Sequence, residues 1–344
     1  MPLTEAQIIQ QKLLEQAKTQ LETDLKLVDV LAELFDTSSD SAYRRIRLDK
    51  LMTLDEIIKL CVHFDLSFDE FLDGSPTRVA FHFQPIDETN FTFVDYLEYV
   101  ERMMRKVANS VQNEMLYLAN DIPIFHLMNA PELASFKLFF WQKTILNFES
   151  LREEKFELNV KDERVNAASR KMREHYYKVD STEIFCGETI DITLKQINYY
   201  FEANLFKDDK IALLLLDRLE MITEHLRKQC EAGLKYRMEQ ELPEINELSA
   251  TYTAYYNEVL YTDTTILAKL DDERWSYANN NGLNVMSTKD PNYYNQQLAA
   301  IDMLKKRSTL ISGDSEKERN RVFNAYTKKI TQLKQRITVL LDEV

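Results

Sequence analysis

Apolar residues recur every three or four positions at the start of the chain, at Ile8, Ile9, Leu13, Leu14, Ala17 and Leu21, with Gln, Glu and Lys between them. This spacing predicts a helix over 4–26. Leu27, Val28, Leu31, Ala32 and Phe35 then share one helical face, so a second helix follows, with Thr23 or Asp24 as its cap. The polar cluster Asp36-Thr37-Ser38-Ser39-Asp40-Ser41 reads as a turn ending in an N-cap, and an arginine-rich helix runs from Ala42 to Leu48. Thr53-Leu54-Asp55-Glu56 fits the Ser/Thr-x-x-Glu capping box and opens a helix with Ile57, Ile58, Leu60, Cys61 and Phe64 apolar. Ser67-Phe68-Asp69-Glu70 repeats the box before a last turn through Phe71 and Leu72. The pattern is five short helices.

Asp73-Gly74-Ser75-Pro76 breaks the pattern and divides the chain into an N-terminal domain, 1–75, and a larger one, 76–344, for which a further division near 160–190 is an alternative. Beyond the break, residues 78–84 alternate Val79, Phe81 and Phe83 with Ala80, His82 and Gln84, as a strand does. A long amphipathic helix is predicted over 91–111, one or two strands over 114–125, and a helix from Pro131 through Trp141. From Arg164 onward helices dominate, the longest over 207–241, with short strands within 251–268 and 273–285 and two closing helices, 291–311 and 315–342. The expected fold is mainly α: a five-helix N-terminal domain, then a mostly helical α+β domain with a few short strands.

Composition supports this picture, because only 5 Gly and 7 Pro in 344 residues leave few turn formers, and 18 Phe with 17 Tyr supply large cores. The formal charge of −14 argues against a protein that coats nucleic acid or anionic membrane by bulk electrostatics. No apolar run approaches the roughly 20 residues of a membrane span, and Met1-Pro2-Leu3-Thr4 lacks the basic and apolar regions of a signal peptide. A cytoplasmic protein is expected. Cys61, Cys186 and Cys230 are odd in number and far apart, so neither a disulfide framework nor a zinc site is indicated.

The segment from Leu27 to Leu72 resembles the phage-repressor-like (lambda repressor-like) helix-turn-helix family of bacterial transcriptional regulators. The likeness is carried by Leu31-Ala32-Glu33-Leu34, the polar turn, Ser41-Ala42-Tyr43-Arg44-Arg45-Ile46, and the run from Thr53 to Leu72. Two family glycines are replaced: Asp36 or Thr37 stands in the turn, and Arg47-Leu48-Asp49 follows the third helix. The resemblance implies a third helix that enters the major groove of a double-stranded DNA operator, with Ser41, Arg44 and Arg45 facing bases. Thr37, Ser39, Arg47 and Lys50 are the candidates for phosphates. Tyr43 is read as a half-buried core residue, with stacking on a sugar or base as the alternative.

No phosphate-binding loop, dinucleotide fingerprint or nucleophile elbow occurs, and His63, His82, His126, His175 and His225 lack the spacing of a metal site. No enzyme activity, cofactor or metal is expected. Ser312-Gly313-Asp314-Ser315-Glu316, ahead of Arg319 and Arg321, offers a helix start for an anion, although a glycine stop followed by an N-cap accounts for it more simply. The aromatics Phe136, Phe139, Phe140, Trp141, Tyr199, Tyr200 and Phe201 fit a core, a ligand pocket or a dimer interface. The expectation is a homodimeric regulator whose C-terminal part senses a small-molecule or protein effector or mediates dimerisation. A protein-interaction module without sequence-specific DNA binding is the alternative.

Overall fold

The computed structural model describes residues 2–21, 25–71, 78–83, 86, 88–89, 92–158, 163–240, 250–258, 264–280 and 284–342. The chain divides into two compact units, Met1–Ala80 and Phe81–Val344. In the first, α1 (Glu5–Thr19), α2 (Leu27–Leu34), α3 (Ser39–Ile46) and α4 (Leu54–His63) are followed by one 3₁₀ turn, Phe68–Phe71. Their apolar faces meet in one core of Leu13, Leu14, Leu31, Ala42, Leu60 and Phe64. The Thr53 hydroxyl accepts from the Glu56 backbone N–H while the Glu56 carboxylate accepts from the Thr53 backbone N–H, so the capping box is formed at α4. At the start of α3 the cap is Ser38 rather than Ser41, and the helix begins three residues earlier than its spacing suggests.

Where the resembling family uses glycine, this chain uses other residues in the left-handed region: Asp36 at φ 49° after α2 and Leu48 at φ 64° after α3. Asp tolerates that conformation, and leucine there is uncommon. The turns close on backbone bonds, with the Thr37 N–H donating to the Ala32 carbonyl at 2.9 Å and the Asp49 N–H donating to the Arg44 carbonyl at 2.8 Å.

The second unit is built on a sheet. Its elements are α5 (Phe93–Ala108), β1 (Asn113–Ala119), α6 (Ile124–Leu127), α7 (Pro131–Phe140), α8 (Glu163–Tyr176), β2 (Asp180–Cys186), α9 (Asp191–Glu202), α10 (Lys210–Ala232), β3 (Tyr252–Asn257), β4 (Thr265–Leu270), β5 (Glu273–Asn280), β6 (Asn284–Thr288), α11 (Pro291–Lys305), β7 (Thr309–Leu310) and α12 (Glu316–Asp342). The strand order is β6-β5-β4-β1-β2-β3-β7. The adjacent strands β1, β2 and β3 are parallel, with Glu114 opposite Asp180 and Ser181 opposite Tyr252, and the remaining pairings are antiparallel. Alternation along β1 sends Met115, Tyr117 and Ala119 into the large core, and Leu116 and Leu118 into a smaller one shared with Tyr294 and Ile301 of α11.

A polar cluster sits inside the large core. Glu183 of β2, fully buried, accepts from the Tyr252 hydroxyl at 2.6 Å, from His126 Nε2 at 3.0 Å and, more closely still, from the Tyr176 hydroxyl. Burial works against its charge, but His126 and the two tyrosine hydroxyls outweigh that effect and hold the carboxyl below its ordinary value. The cluster joins α6, α8, β2 and β3, elements far apart in sequence.

The expected mainly α fold with a few short strands is therefore overturned: a seven-stranded mixed sheet organises the second unit. The reason is physical. Parallel strands buried on both faces lack polar alternation, and β2 carries Ser181 and Glu183 at interior positions, which masks it among predicted helices. Within the stretch 160–190 the described residues, 163–190, belong to this unit, where β2 pairs with β1 on one side and β3 on the other. Of the predicted strand 78–84, the described residues 78–83 contribute one bridge, His82 to Ser287, instead of a strand, and Gln84 lies outside the described residues. The segment 114–125 yields β1 followed by the single turn α6. Asp73-Gly74-Ser75-Pro76 and the proposed caps Thr23 and Asp24 lie outside the described residues, and the N-cap position of α2 is Lys26. Among the described residues no helix is long and apolar enough to cross a membrane.

Two outcomes follow for the second unit. Glu183→Ala strands two hydroxyls and an imidazole, and chemical denaturation is expected to show a loss of about 3–5 kcal/mol. His225, buried on α10 with Nε2 3.0 Å from the Tyr236 carbonyl oxygen, is pushed down from 6.5 to about 4 by burial and by His126. On acidification the unfolded chain takes up this proton first, so the stabilisation is complete above pH 6.5 and is lost as pH falls toward about 4. Stability measured against pH should fall across that window in the native chain and be flatter there in His225→Gln.

Candidate nucleic-acid interface

Two adjacent arginines on α3 have opposite fates. Neighbouring positions on a helix point about 100° apart, so when Ala42 and Ile46 face the core, Arg45 is carried inward and Arg44 outward. Arg45 is 3% exposed and grips Glu56 of α4 with both carboxylate oxygens engaged, Nε donating at 2.9 Å and Nη2 making the second, shorter bond. Its Nη1 donates to the Ser41 hydroxyl oxygen at 2.6 Å and to the Ser41 carbonyl at 3.0 Å. Burial opposes the Glu56 charge, but the guanidinium and the Thr53 backbone N–H overcome it and lower the carboxyl below its ordinary value. Arg45 is thus spent on the fold, which corrects its reading as a base contact, and the half-buried Ser41 supplies two of its acceptors.

α1 completes the frame. The buried Gln10 side chain donates to the Arg45 carbonyl at 2.8 Å and the Lys50 carbonyl at 3.0 Å, and accepts from the Met52 N–H at 2.7 Å. Sequence reasoning misses Gln10, yet a signal exists: its spacing to Leu13, Leu14 and Ala17 puts it on the buried stripe of α1. A polar residue at such a position must find partners.

The outer face of α3 carries Asp40, Tyr43, Arg44 and Arg47 at helical spacing, all exposed. Arg44 holds no ion pair among the described residues. Arg47 lies 3.5 Å from Asp49 in an exposed pair, a contact worth little in water. Tyr43 is 48% exposed and outside the core, contrary to the half-buried expectation. Ser39 and Lys50 are exposed beside this face, and Thr37 is half-buried.

The other candidates are absorbed by structure. Arg319 is buried, with Nη1 donating to the Gly313 carbonyl at 2.7 Å, and the Ser312 hydroxyl oxygen accepts from the Ala254 N–H. That cluster fastens α12 to β3. Phe136, Phe140 and Tyr200 pack together in the core, while Tyr199 is exposed. Among the described residues no group of His, Cys, Asp and Glu is arranged to hold a metal ion. No family model matches the chain, and the searches of curated proteins and of solved structures returned no match.

The two arginines give opposite expectations. Arg45→Ala strips the Glu56 carboxylate of its guanidinium and leaves it only the Thr53 N–H, and is expected to cost about 3–5 kcal/mol in denaturant unfolding of the first unit. Arg44→Ala removes an exposed side chain and should shift stability by less than about 0.5 kcal/mol.

Proposed function

We propose that this chain is a bacterial, cytoplasmic DNA-binding transcriptional regulator in which α3 enters the major groove. The observation that carries the reading is the division of labour on α3: Arg45 is locked to Glu56, while Arg44, without an ion pair among the described residues, stands on an outer face with Tyr43 and Arg47. A free guanidinium can read guanine O6 and N7 bidentately, and one such pair discriminates by about 1–3 kcal/mol. Arg47, Lys50, Ser39 and Thr37 suit phosphates on either side. Residues 1–75 hold eight basic and fifteen acidic residues, so attraction to DNA is local to this face and non-specific binding is weak. A single module of this size covers about 600–1,000 Å². A homodimer reading two half-sites about one DNA turn apart supplies the missing contact area.

The second reading, a protein-interaction module, is favoured by one feature: Leu54, Ile58 and Val62 form an exposed apolar row along α4.

Binding to mixed genomic DNA fragments, measured against salt, tests the proposal. Replacing Arg44 and Arg47 together by Ala should weaken binding about tenfold or more and flatten the salt slope by about one for each phosphate that is no longer neutralised. Unchanged binding in this variant contradicts the α3 assignment. No binding by the native chain favours the interaction module.

A further inference from the structure

The second unit contains a cavity of about 270 Å³ between α5 and the helix-covered face of β1, β4 and β5, at the carboxyl end of β1. Ligands of sheet proteins with parallel strands collect outside such strand ends. Most of its wall is aromatic or aliphatic, and Met103, Met104 and Met115 give it adaptable thioether surface. Trp141 enters the wall from the point where α7 gives way to a π-helical turn, Trp141–Ile145, a distortion frequent at functional sites.

The polar groups of the wall define the ligand. Asp121 is its one charged side chain among the described residues, and the protein already satisfies it. Lys137 Nζ donates to Oδ2 at 2.5 Å, and the Thr193 hydroxyl and the Ile122 N–H donate to Oδ1 at 3.0 and 2.8 Å. Lys137 is itself 1% exposed and makes a second bond to Gln196 Oε1 at 2.7 Å. A cationic ligand would have to compete with this lysine for its partner, and an anionic one meets no free cation among the described residues of the wall. In contrast, Tyr117 lines the cavity 8% exposed, and its hydroxyl makes no hydrogen bond with any described residue. Burial, with Glu183, Tyr96 and Asp121 nearby, drives its ionisation far above the ordinary range, so the group stays a neutral phenol able to donate. A hydroxyl that lines the cavity and makes no bond to a described residue is available to donate to whatever occupies that space.

We propose that this cavity binds an uncharged, ring-sized small molecule bearing one hydroxyl or carbonyl oxygen, which accepts a hydrogen bond from Tyr117. A cavity of about 150 Å³ holds benzene, so the present one takes a ring with a short chain, or two fused rings. As a binding site it stands apart from the DNA-binding reading. As an effector site it rests on that reading.

The test uses the full chain and four probes of matched shape: 4-propylphenol, propylbenzene, 4-propylbenzoate and (4-propylphenyl)trimethylammonium. Tryptophan emission reports occupancy, because Trp141 lines the cavity and Trp275 stacks on Tyr277 of the same wall, with ring centroids 5.9 Å apart. Both neutral probes should bind saturably and raise Tm, and both charged probes should bind at least about tenfold more weakly. Tyr117→Phe should weaken 4-propylphenol about five- to twentyfold and leave propylbenzene unchanged. Filling the space with Ala268→Leu, or with Val100→Phe if the first variant unfolds, should abolish binding of both neutral probes. The proposal is overturned by equal binding of a charged probe, by absence of saturable binding of the neutral pair, or by unchanged affinity for 4-propylphenol in Tyr117→Phe.

Discussion

A carboxylate surrounded by donors organises each unit, and in the first it is the half-buried Glu56. Its two-pronged grip on Arg45 ties α3 to α4 across eleven residues of chain, and Gln10 ties the end of α3 to α1. A planar guanidinium meeting a carboxylate edge to edge fixes orientation as well as distance. With Arg45 fixed, the rotation of α3 is fixed, and so is the set of side chains it shows to solvent. Glu183 plays the equivalent part in the second unit, where it joins two strands and two helices at the centre of the core.

Such groups make clear what was legible in the sequence. Amphipathic spacing and the Thr53-Glu56 box marked α4 correctly, because both signals are local. The fate of Glu56 beyond its own cap was not local: its carboxylate also serves Arg45, a partner that only the packed helices bring near. The adjacent arginines 44 and 45 look alike in sequence and differ by one step of helical rotation. Strand β2 was hidden because its central residue is an acid whose three partners come from α6, α8 and β3. The scarcity of glycine misled in its own way. Among the described residues, left-handed backbone falls at Asp36, Leu48, Asp65, Asn147, Asn204 and Asp271 as well as at Gly233 and Gly313, so Asp and Asn make most of these turns, and a sheet fits a chain with few glycines.

The proposed function combines a weakly attractive DNA-binding unit with an apolar cavity in the other unit. An acidic chain gains little from non-specific attraction to DNA, so its occupancy of an operator depends on a few contacts and on dimerisation. An effector regulates such a protein only through unequal affinity for DNA-competent and incompetent states. A neutral ligand in an apolar cavity does this through packing rather than through charge.

The measurement closest to the central claim is selection of genomic DNA fragments by the full chain, followed by sequencing of what is retained. The account predicts an enriched motif with two half-sites about one DNA turn apart, each containing a guanine whose preference disappears when selection is repeated with Arg44→Ala. Retention without a motif, or a motif unchanged in Arg44→Ala, would contradict it.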